Sequence, residues 1–283
     1  MSAPGGLAYV GPLIEAYRAG YVSDHVHLGL FAPDGRGTAR AGEDPLAAAQ
    51  RAMAELHLER LGARDGETVL DVGCGLGGTL RLLNDRLSGA GLIGVNIDPR
   101  QLAVAREIAP RRGNRLRWVE ADAGALDPAA FAYDRVLSLE AMFHFPGGDA
   151  FLRAARAALR PGGRAVFSTI LLAPAARLAP PLAAAREVVL DGFAPWPESE
   201  LTPDALLARA RTAGFDVARA EDLTAAVGPT FRNIAPDPPP PEITGSATAE
   251  LARLHAAGAM RYVMLTLAPA GQPGGNTQKN SPG

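Results

Sequence analysis

A chain of 283 residues accommodates one large domain with additions or two small ones, and a hydrophobic content of 47% suits a globular protein with a sizeable core. The formal net charge of −2 argues against a broad phosphate-binding surface. The single cysteine, Cys74, excludes an intrachain disulfide and fits a reducing, cytoplasmic compartment, and no apolar run approaches the ~18 residues of a membrane-spanning helix.

Residues 1–65 read as a cap placed ahead of a sheet. Met1 to Gly6 lacks a basic region followed by an apolar one, so no secretory signal is expected there. Leu13 to Tyr17 begins a short helix. The stretch from Tyr21 to Phe31 reads as extended, which puts His25 and His27 on one side. Two imidazoles without a suitably spaced third ligand do not make a metal site, and no metal is expected. Asp34 to Gly37 is turn chemistry. Leu46, Ala49, Met53, Leu56 and Leu61 define one face of a helix over Pro45 to Leu61, which Gly62 ends as a C-cap. His57 in that helix reads as a surface or packing residue.

The stretch from Val69 to Gly78 organises the rest. It begins as a short apolar run, turns glycine-rich, and is followed by a helix from Thr79. Strand, tight glycine turn and helix are the opening unit of a doubly wound sheet. A glycine loop alone is shared with the dinucleotide fingerprint. Here the acid, Asp71, lies inside the motif at the strand end, and Gly73, Gly75 and Gly77 follow as G-x-G-x-G. Cys74 reads as a small packing residue, since no partner for a nucleophile is implied.

This pattern resembles motif I of the Rossmann-like, class I S-adenosylmethionine-dependent methyltransferases. The resemblance implies an α/β fold with a seven-stranded, mostly parallel sheet and helices on both faces. It places Asp71 near the methionine ammonium and passes the backbone of Gly73, Cys74, Gly75 and Gly77 under S-adenosylmethionine, whose product is S-adenosylhomocysteine. The physics agrees, because a ligand with a sulfonium and an ammonium but no pyrophosphate favours a nearby carboxylate.

Strand two, Gly91 to Ile97, carries Asn96 where many relatives have an acid that binds both ribose hydroxyls. Asp98 follows on the same side, but it also reads as the N-cap of a helix over Pro99 to Ile108. Asn96 to Gln101 further resembles the cyclopropane-fatty-acid synthases, which implies Ile97 and Gln101 in the cofactor site. Strand three, Leu116 to Glu120, leads to Asp122 and Ala123. In the family an acid at the place of Asp122 accepts from the adenine amine, although a loop aspartate is also a turn former. Strand four, Tyr133 to Glu140, brings Leu139 to the cofactor. In Glu140 to Pro146 the strongly polar side chains are Glu140 and His144. A helix over Asp149 to Leu159 and a Leu-Arg-Pro-Gly-Gly turn, a second family feature, lead to strand five, Ala165 to Leu172. The match runs in order from Val69 to Leu172.

After it comes a lid-like insertion, 173–200, with Phe193 and Trp196. Thr202 and Pro203 start a helix to about Thr212, which stops near Gly214. Phe215 to Leu223 reads as strand six. Pro238 to Pro241 forbid regular pairing. A last helix over Ala247 to Ala257 and a last strand over Met260 to Leu267 complete a core of 66–267, and a disordered tail is expected over 268–283.

His27 to Phe31 resembles the segment ahead of the core in methyltransferases of sarcosine, tocopherols and related small molecules. That implies Tyr21 and His27 in a substrate pocket shared with Phe143, Phe193 and Trp196. His144 is the candidate general base, and Glu140 orients it, binds a cationic substrate or serves as base itself. The region resembles sugar and phenol O-methyltransferases, although their His pair is reduced to Phe143–His144. Thr169 stands where they often have an aspartate, so no His-Asp dyad is supported. O-methylation is slightly favoured. C-methylation of an alkene, where aromatic rings stabilise a cation, and N-methylation stay open. Nucleic acid is not an expected partner, because no basic module is present and Ser-Leu-Glu-Ala replaces the Asn/Asp-Pro-Pro-Tyr signature. The expected partner is a small-molecule acceptor, with no membrane, and a homo-oligomer is left open. A non-methylating cyclase that keeps the cofactor is the reading from another class.

Overall fold

In the computed structural model, described over residues 7, 9–32, 43–125, 132–233 and 242–271, the chain begins with helix α1 (Val10–Arg18) and helix α2 (Pro45–Leu61). The core then runs β1 (Thr68–Val72), α3 (Gly78–Arg86), β2 (Gly91–Asn96), α4 (Pro99–Ala105), β3 (Arg115–Glu120), β4 (Tyr133–Ser138), α5 (Gly148–Ala158) and β5 (Leu159–Leu172). It ends with α6 (Pro180–Gly192), α7 (Pro203–Thr212), β6 (Phe215–Asp222), the short α8 (Thr224–Val227) and α9 (Thr230–Asn233), α10 (Glu242–Ala256) and β7 (Met260–Pro269).

The strands form one seven-stranded sheet in the order β3-β2-β1-β4-β5-β7-β6, in which β7 pairs antiparallel with both neighbours and the other pairs are parallel. This is the expected Rossmann-like α/β architecture. Both faces of the sheet are buried, and the period-two alternation of a strand shows it. Leu70, Val72, Val136 and Phe167 join the core built with Phe151 of α5 and Leu206 of α7. Their neighbours Val69, Leu137 and Val166 join the opposite core with Leu58 and Leu61 of α2 and Leu80 of α3. A third cluster joins Met53 of α2, Val189 of α6, Leu251 of α10 and Tyr262 of β7.

Helix ends follow local chemistry. Asp44 caps α2 by accepting from Ala47 N–H, Pro45 holds the first turn, and Gly62 terminates it with a φ of 61°. Thr202 accepts from Ala205 N–H at 3.3 Å to start α7. Asp98 caps α4 through Arg100 N–H at 2.9 Å, but α4 ends at Ala105 rather than Ile108, where tighter turns take over.

The Leu-Arg-Pro-Gly-Gly turn is absorbed into β5. Pairing jumps from Tyr133–Leu159 to Arg135–Arg164, so the extra residues bulge out of the ladder. The last helix begins at Glu242, ahead of Ala247, and β7 reaches Pro269 because Ala268 and Pro269 pair with Asp216 and Phe215 of β6. Pro238 to Pro241 and residues 272–283 lie outside the described residues. Among the described residues no helix is long and apolar enough to cross a membrane.

Candidate functional site

A cavity of about 1370 Å³ opens at the carboxyl ends of β1 to β4. Those ends are where a doubly wound sheet leaves room between crossovers. Pro12, Leu13 and Ala16 of α1 and Phe193 and Pro195 of the segment after α6 line it from the other side.

On the β1–β3 side, Asp71 stands one residue before the end of β1, with 2% of its surface exposed. Burial, with no basic group acting against it, pushes its carboxyl up to about 7. The glycine loop is tied down by Gly73 and Cys74 N–H groups donating to the Val95 carbonyl at 2.8 and 3.1 Å. Gly73 and Gly75 take left-handed φ values of 77° and 53°. A Cβ on Gly73 would lie 2.3 Å from Ala141 Cβ, whereas one on Gly75 would meet Gln101 Nε2 at 3.8 Å as its nearest contact. Gly75 is therefore the residue whose missing side chain leaves space in the cavity. Gly77 does not line the wall. It starts α3 with a φ of 85°, and a Cβ there would press on Trp118 at 2.8 Å and Ile108 at 2.9 Å, so this glycine serves packing. Cys74 is buried with its thiol pushed up by desolvation, which suits a packing role.

Asn96, Ile97, Gln101, Asp122, Ala123 and Leu139 all line the cavity. Asn96 Nδ2 donates to Gln101 Oε1 at 2.8 Å, which joins the two amides into one polar edge. Asp98 is committed elsewhere: besides capping α4 it accepts from Arg100 Nη2 at 2.6 Å and Nε at 3.0 Å. Asp122 Oδ1 accepts from Gly124 N–H at 2.7 Å in a local turn, so one oxygen shapes the loop.

On the β4 side, Glu140 holds a left-handed φ of 52°, rare for a residue with a side chain. Its N–H donates to the Ser168 carbonyl and to Ser168 Oγ. Its carboxylate accepts from Leu28 N–H at 2.9 Å and from the Tyr262 hydroxyl, itself 3.1 Å from Ser168 Oγ. Burial outweighs these donors and pushes the carboxyl up to about 8. His144 Nδ1 donates to the Pro195 carbonyl at 2.9 Å, which fixes the tautomer and leaves Nε2 as an acceptor, 3.3 Å from the Tyr9 hydroxyl. Burial lowers the imidazole to about 4, so it is neutral at pH 7.

The aromatic wall is continuous. Phe193 meets Tyr9 edge-on at 6.4 Å, Tyr9 stacks on His144 at 6.0 Å, and His144 lies 4.1 Å from Phe143. Trp196 supports Phe143 from behind at 4.2 Å without lining the cavity. Tyr21 is 66% exposed at the mouth. His27 lines the cavity with Nε2 buried and unpartnered, and desolvation lowers it to about 3. Among the described residues no group of three or more His, Cys, Asp or Glu is placed to hold a metal ion. Tyr9, Tyr262, Ser168 and the Pro195 carbonyl are members that sequence reasoning missed. Tyr9 offered one signal, an aromatic residue at the head of a short helix.

A methyltransferase-domain family model matches residues 69–163. Over 152 residues the chain is 38% identical to methyltransferase GfsG of Streptomyces halstedii, covering 53% of this chain and 52% of the relative. Over 197 residues it is 30% identical to erythromycin 3''-O-methyltransferase of Saccharopolyspora erythraea, covering 68% and 61%. The chain thus spans just over half the length of these curated relatives. Among solved structures, mycolic acid cyclopropane synthase CmaA1, complexed with S-adenosylhomocysteine and CTAB, superposes with a TM-score of 0.75 at 20% identity, covering 92% and 96%. The cyclase SpnF superposes with a TM-score of 0.68 at 23% identity, covering 94% and 93%. At these identities the likeness is one of fold.

Proposed function

We propose that this chain, which carries a class I S-adenosylmethionine-dependent methyltransferase domain, transfers a methyl group to a small-molecule acceptor held in the cavity at the strand ends, with oxygen the favoured atom. The observation that carries the reading is the meeting, in one cavity, of a buried uncompensated carboxyl, Asp71, a glycine with open space before it, Gly75, and a histidine whose Nε2 is left as an acceptor, 3.3 Å from the Tyr9 hydroxyl.

The cofactor fits this lining. Asp71 is placed to hold an ammonium, and ionises fully once a cation neutralises its site. Asn96 and Gln101 offer amide groups for ribose hydroxyls, and Asp122 offers its second oxygen for an adenine amine. S-adenosylmethionine, when bound, supplies an electrophilic methyl group on a sulfonium. The chain's own task is alignment and exclusion of water, and good alignment accounts for roughly 7–11 kcal/mol of barrier. α1 with the 173–200 insertion acts as the cover in this reading.

For a hydroxyl acceptor, His144 Nε2 receives the proton as the oxygen takes the methyl group. The Tyr9 hydroxyl occupies the hydrogen bond that an acceptor hydroxyl would make. An imidazole lowered to about 4 is unprotonated at pH 7, so Nε2 is available to accept, although its low basicity limits the driving force for proton transfer. The name of the erythromycin 3''-O-methyltransferase, a relative over two-thirds of this chain, supports oxygen.

C-methylation is the second reading. It is favoured by Glu140 beside a continuous wall of rings, which suits a developing carbocation. Incubation with methyl-labelled S-adenosylmethionine and a metabolite extract tests the proposal. Label in an alkali-stable methyl ether supports oxygen and label on carbon supports the second reading. Cofactor that binds while no label ever leaves it supports a non-methylating cyclase.

A further inference from the structure

We propose that the acceptor is an apolar molecule bearing a positive charge, an ammonium seated between Glu140 and the rings of Tyr9, Phe143 and Phe193, and that phosphorylated acceptors are rejected. This rests on the cavity being the acceptor site of a methyltransferase and names the substrate class for it.

The first observation is the charge of the wall. Among the described lining residues Arg100 is the one arginine or lysine, and its guanidinium is occupied by Asp98 at 2.6 and 3.0 Å and by the Leu7 carbonyl at 2.9 Å. The lining histidines, His25, His27 and His144, are held neutral by desolvation. Acidic groups, in contrast, stand along the whole wall, with Glu15, Asp44 and Glu140 in addition to those at the cofactor residues, and Glu140, raised to about 8, ionises fully once a cation neutralises its site. A phosphate brought into this chamber would lose its hydration and find no free cation among the described lining residues. Nor does a metal bridge offer itself, since no described group of three acidic or imidazole ligands is placed to hold one.

The second observation is how Glu140 is held. Leu28 N–H, the Tyr262 hydroxyl and the Ser168 contacts to its backbone fix the carboxylate at a strained φ, on the wall of the cavity. No described cation is paired with it, and it lines the same cavity as the rings of Tyr9, Phe143 and Phe193. A carboxylate and π faces together recognise an ammonium through Coulomb attraction and the ring quadrupole. The strained backbone keeps the acid at this spot, where an unstrained strand end would not.

Calorimetry with short, matched probes tests this: octyltrimethylammonium, octanol and octyl phosphate, each titrated with and without saturating S-adenosylhomocysteine. The ammonium should bind roughly tenfold tighter than the alcohol, and the phosphate should show no saturable heat. Glu140→Gln should erase the ammonium's advantage while leaving octanol binding and the thermal midpoint of the cofactor-saturated protein near wild type. If Glu140→Gln fails to fold, Phe193→Leu serves in its place and should cut the advantage by about threefold. Phosphate binding as tight as the ammonium, or an ammonium no tighter than octanol, overturns the proposal. Absence of S-adenosylhomocysteine binding overturns instead the methyltransferase reading beneath it.

Discussion

The Tyr9 hydroxyl stands 3.3 Å from Nε2 of His144, so the first described helix reaches across the cavity to the turn after β4. With Nδ1 committed to Pro195, this contact uses the one ring nitrogen free to act as a base. His144→Ala should lower turnover by ~10²–10⁴ with cofactor affinity nearly unchanged. Tyr9→Phe keeps the ring and should change turnover only a few-fold, about 1 kcal/mol. Tyr9→Ala removes a wall of the pocket and should raise KM. Steady-state kinetics on the three variants checks the ranking, and unchanged turnover in His144→Ala removes the base role.

Gly73 and Gly75 should fail in different ways. A Cβ on Gly73 collides with Ala141 at 2.3 Å in addition to its φ of 77°, so Gly73→Ala should lose stability, visible as a lower thermal midpoint. Gly75→Val meets open space, and apart from backbone strain of roughly 1–3 kcal/mol it should fold but bind no cofactor. Gly75→Val protein that is folded and binds S-adenosylhomocysteine normally contradicts the cradle.

Stability should pass through a maximum in pH. His25, His57 and His144 are lowered to about 4 and His27 to about 3, against an ordinary 6.5. Between these values the unfolded chain binds more protons, so stability rises as pH goes from about 4 to 6.5. Asp71 and Glu140 are raised from 3.8 and 4.5 to about 7 and 8, so the folded chain holds their protons throughout that interval; this partly offsets the four histidines below pH 6.5 and outweighs them above it, where stability falls until the carboxyls ionise. Thermal midpoints across pH 5 to 9 should peak near about 6.5. Midpoints that climb steadily to pH 9 would show that these carboxyls ionise freely in the fold.

The exposed Tyr21 marks the strap that follows α1. Chymotrypsin should cut there in the free protein and more slowly with S-adenosylhomocysteine bound, because ligand anchors Tyr9 and the lining residues of α1. Equal cutting rates argue against a cover formed by this segment.

Much of this was legible locally. Pro45 and Gly62 bracket α2, Thr202 with Pro203 starts α7, and Asp71 with Gly75 is written in ten consecutive residues, because capping and turn chemistry act over a few positions. What sequence did not show is long-range. Glu140 gains meaning from Ser168 and Tyr262, which reach it because β4 and β5 are adjacent and β7 runs antiparallel beside β5. Tyr9 meets His144 across 135 positions of sequence. The pattern G-x-G-x-G, in turn, did not reveal that Gly77 serves packing under Trp118 while Gly75 faces the cavity.

Every step proposed for this cavity requires that Asp71 and the glycine loop hold S-adenosylmethionine. Calorimetry of S-adenosylhomocysteine at pH 7, repeated in two buffers of different ionisation enthalpy, tests it most directly. One site is expected, lost in Asp71→Ala, with release of roughly half a proton as the carboxyl at about 7 ionises beside the ligand's ammonium. No saturable heat in the wild type, or undiminished binding by Asp71→Ala, would contradict it.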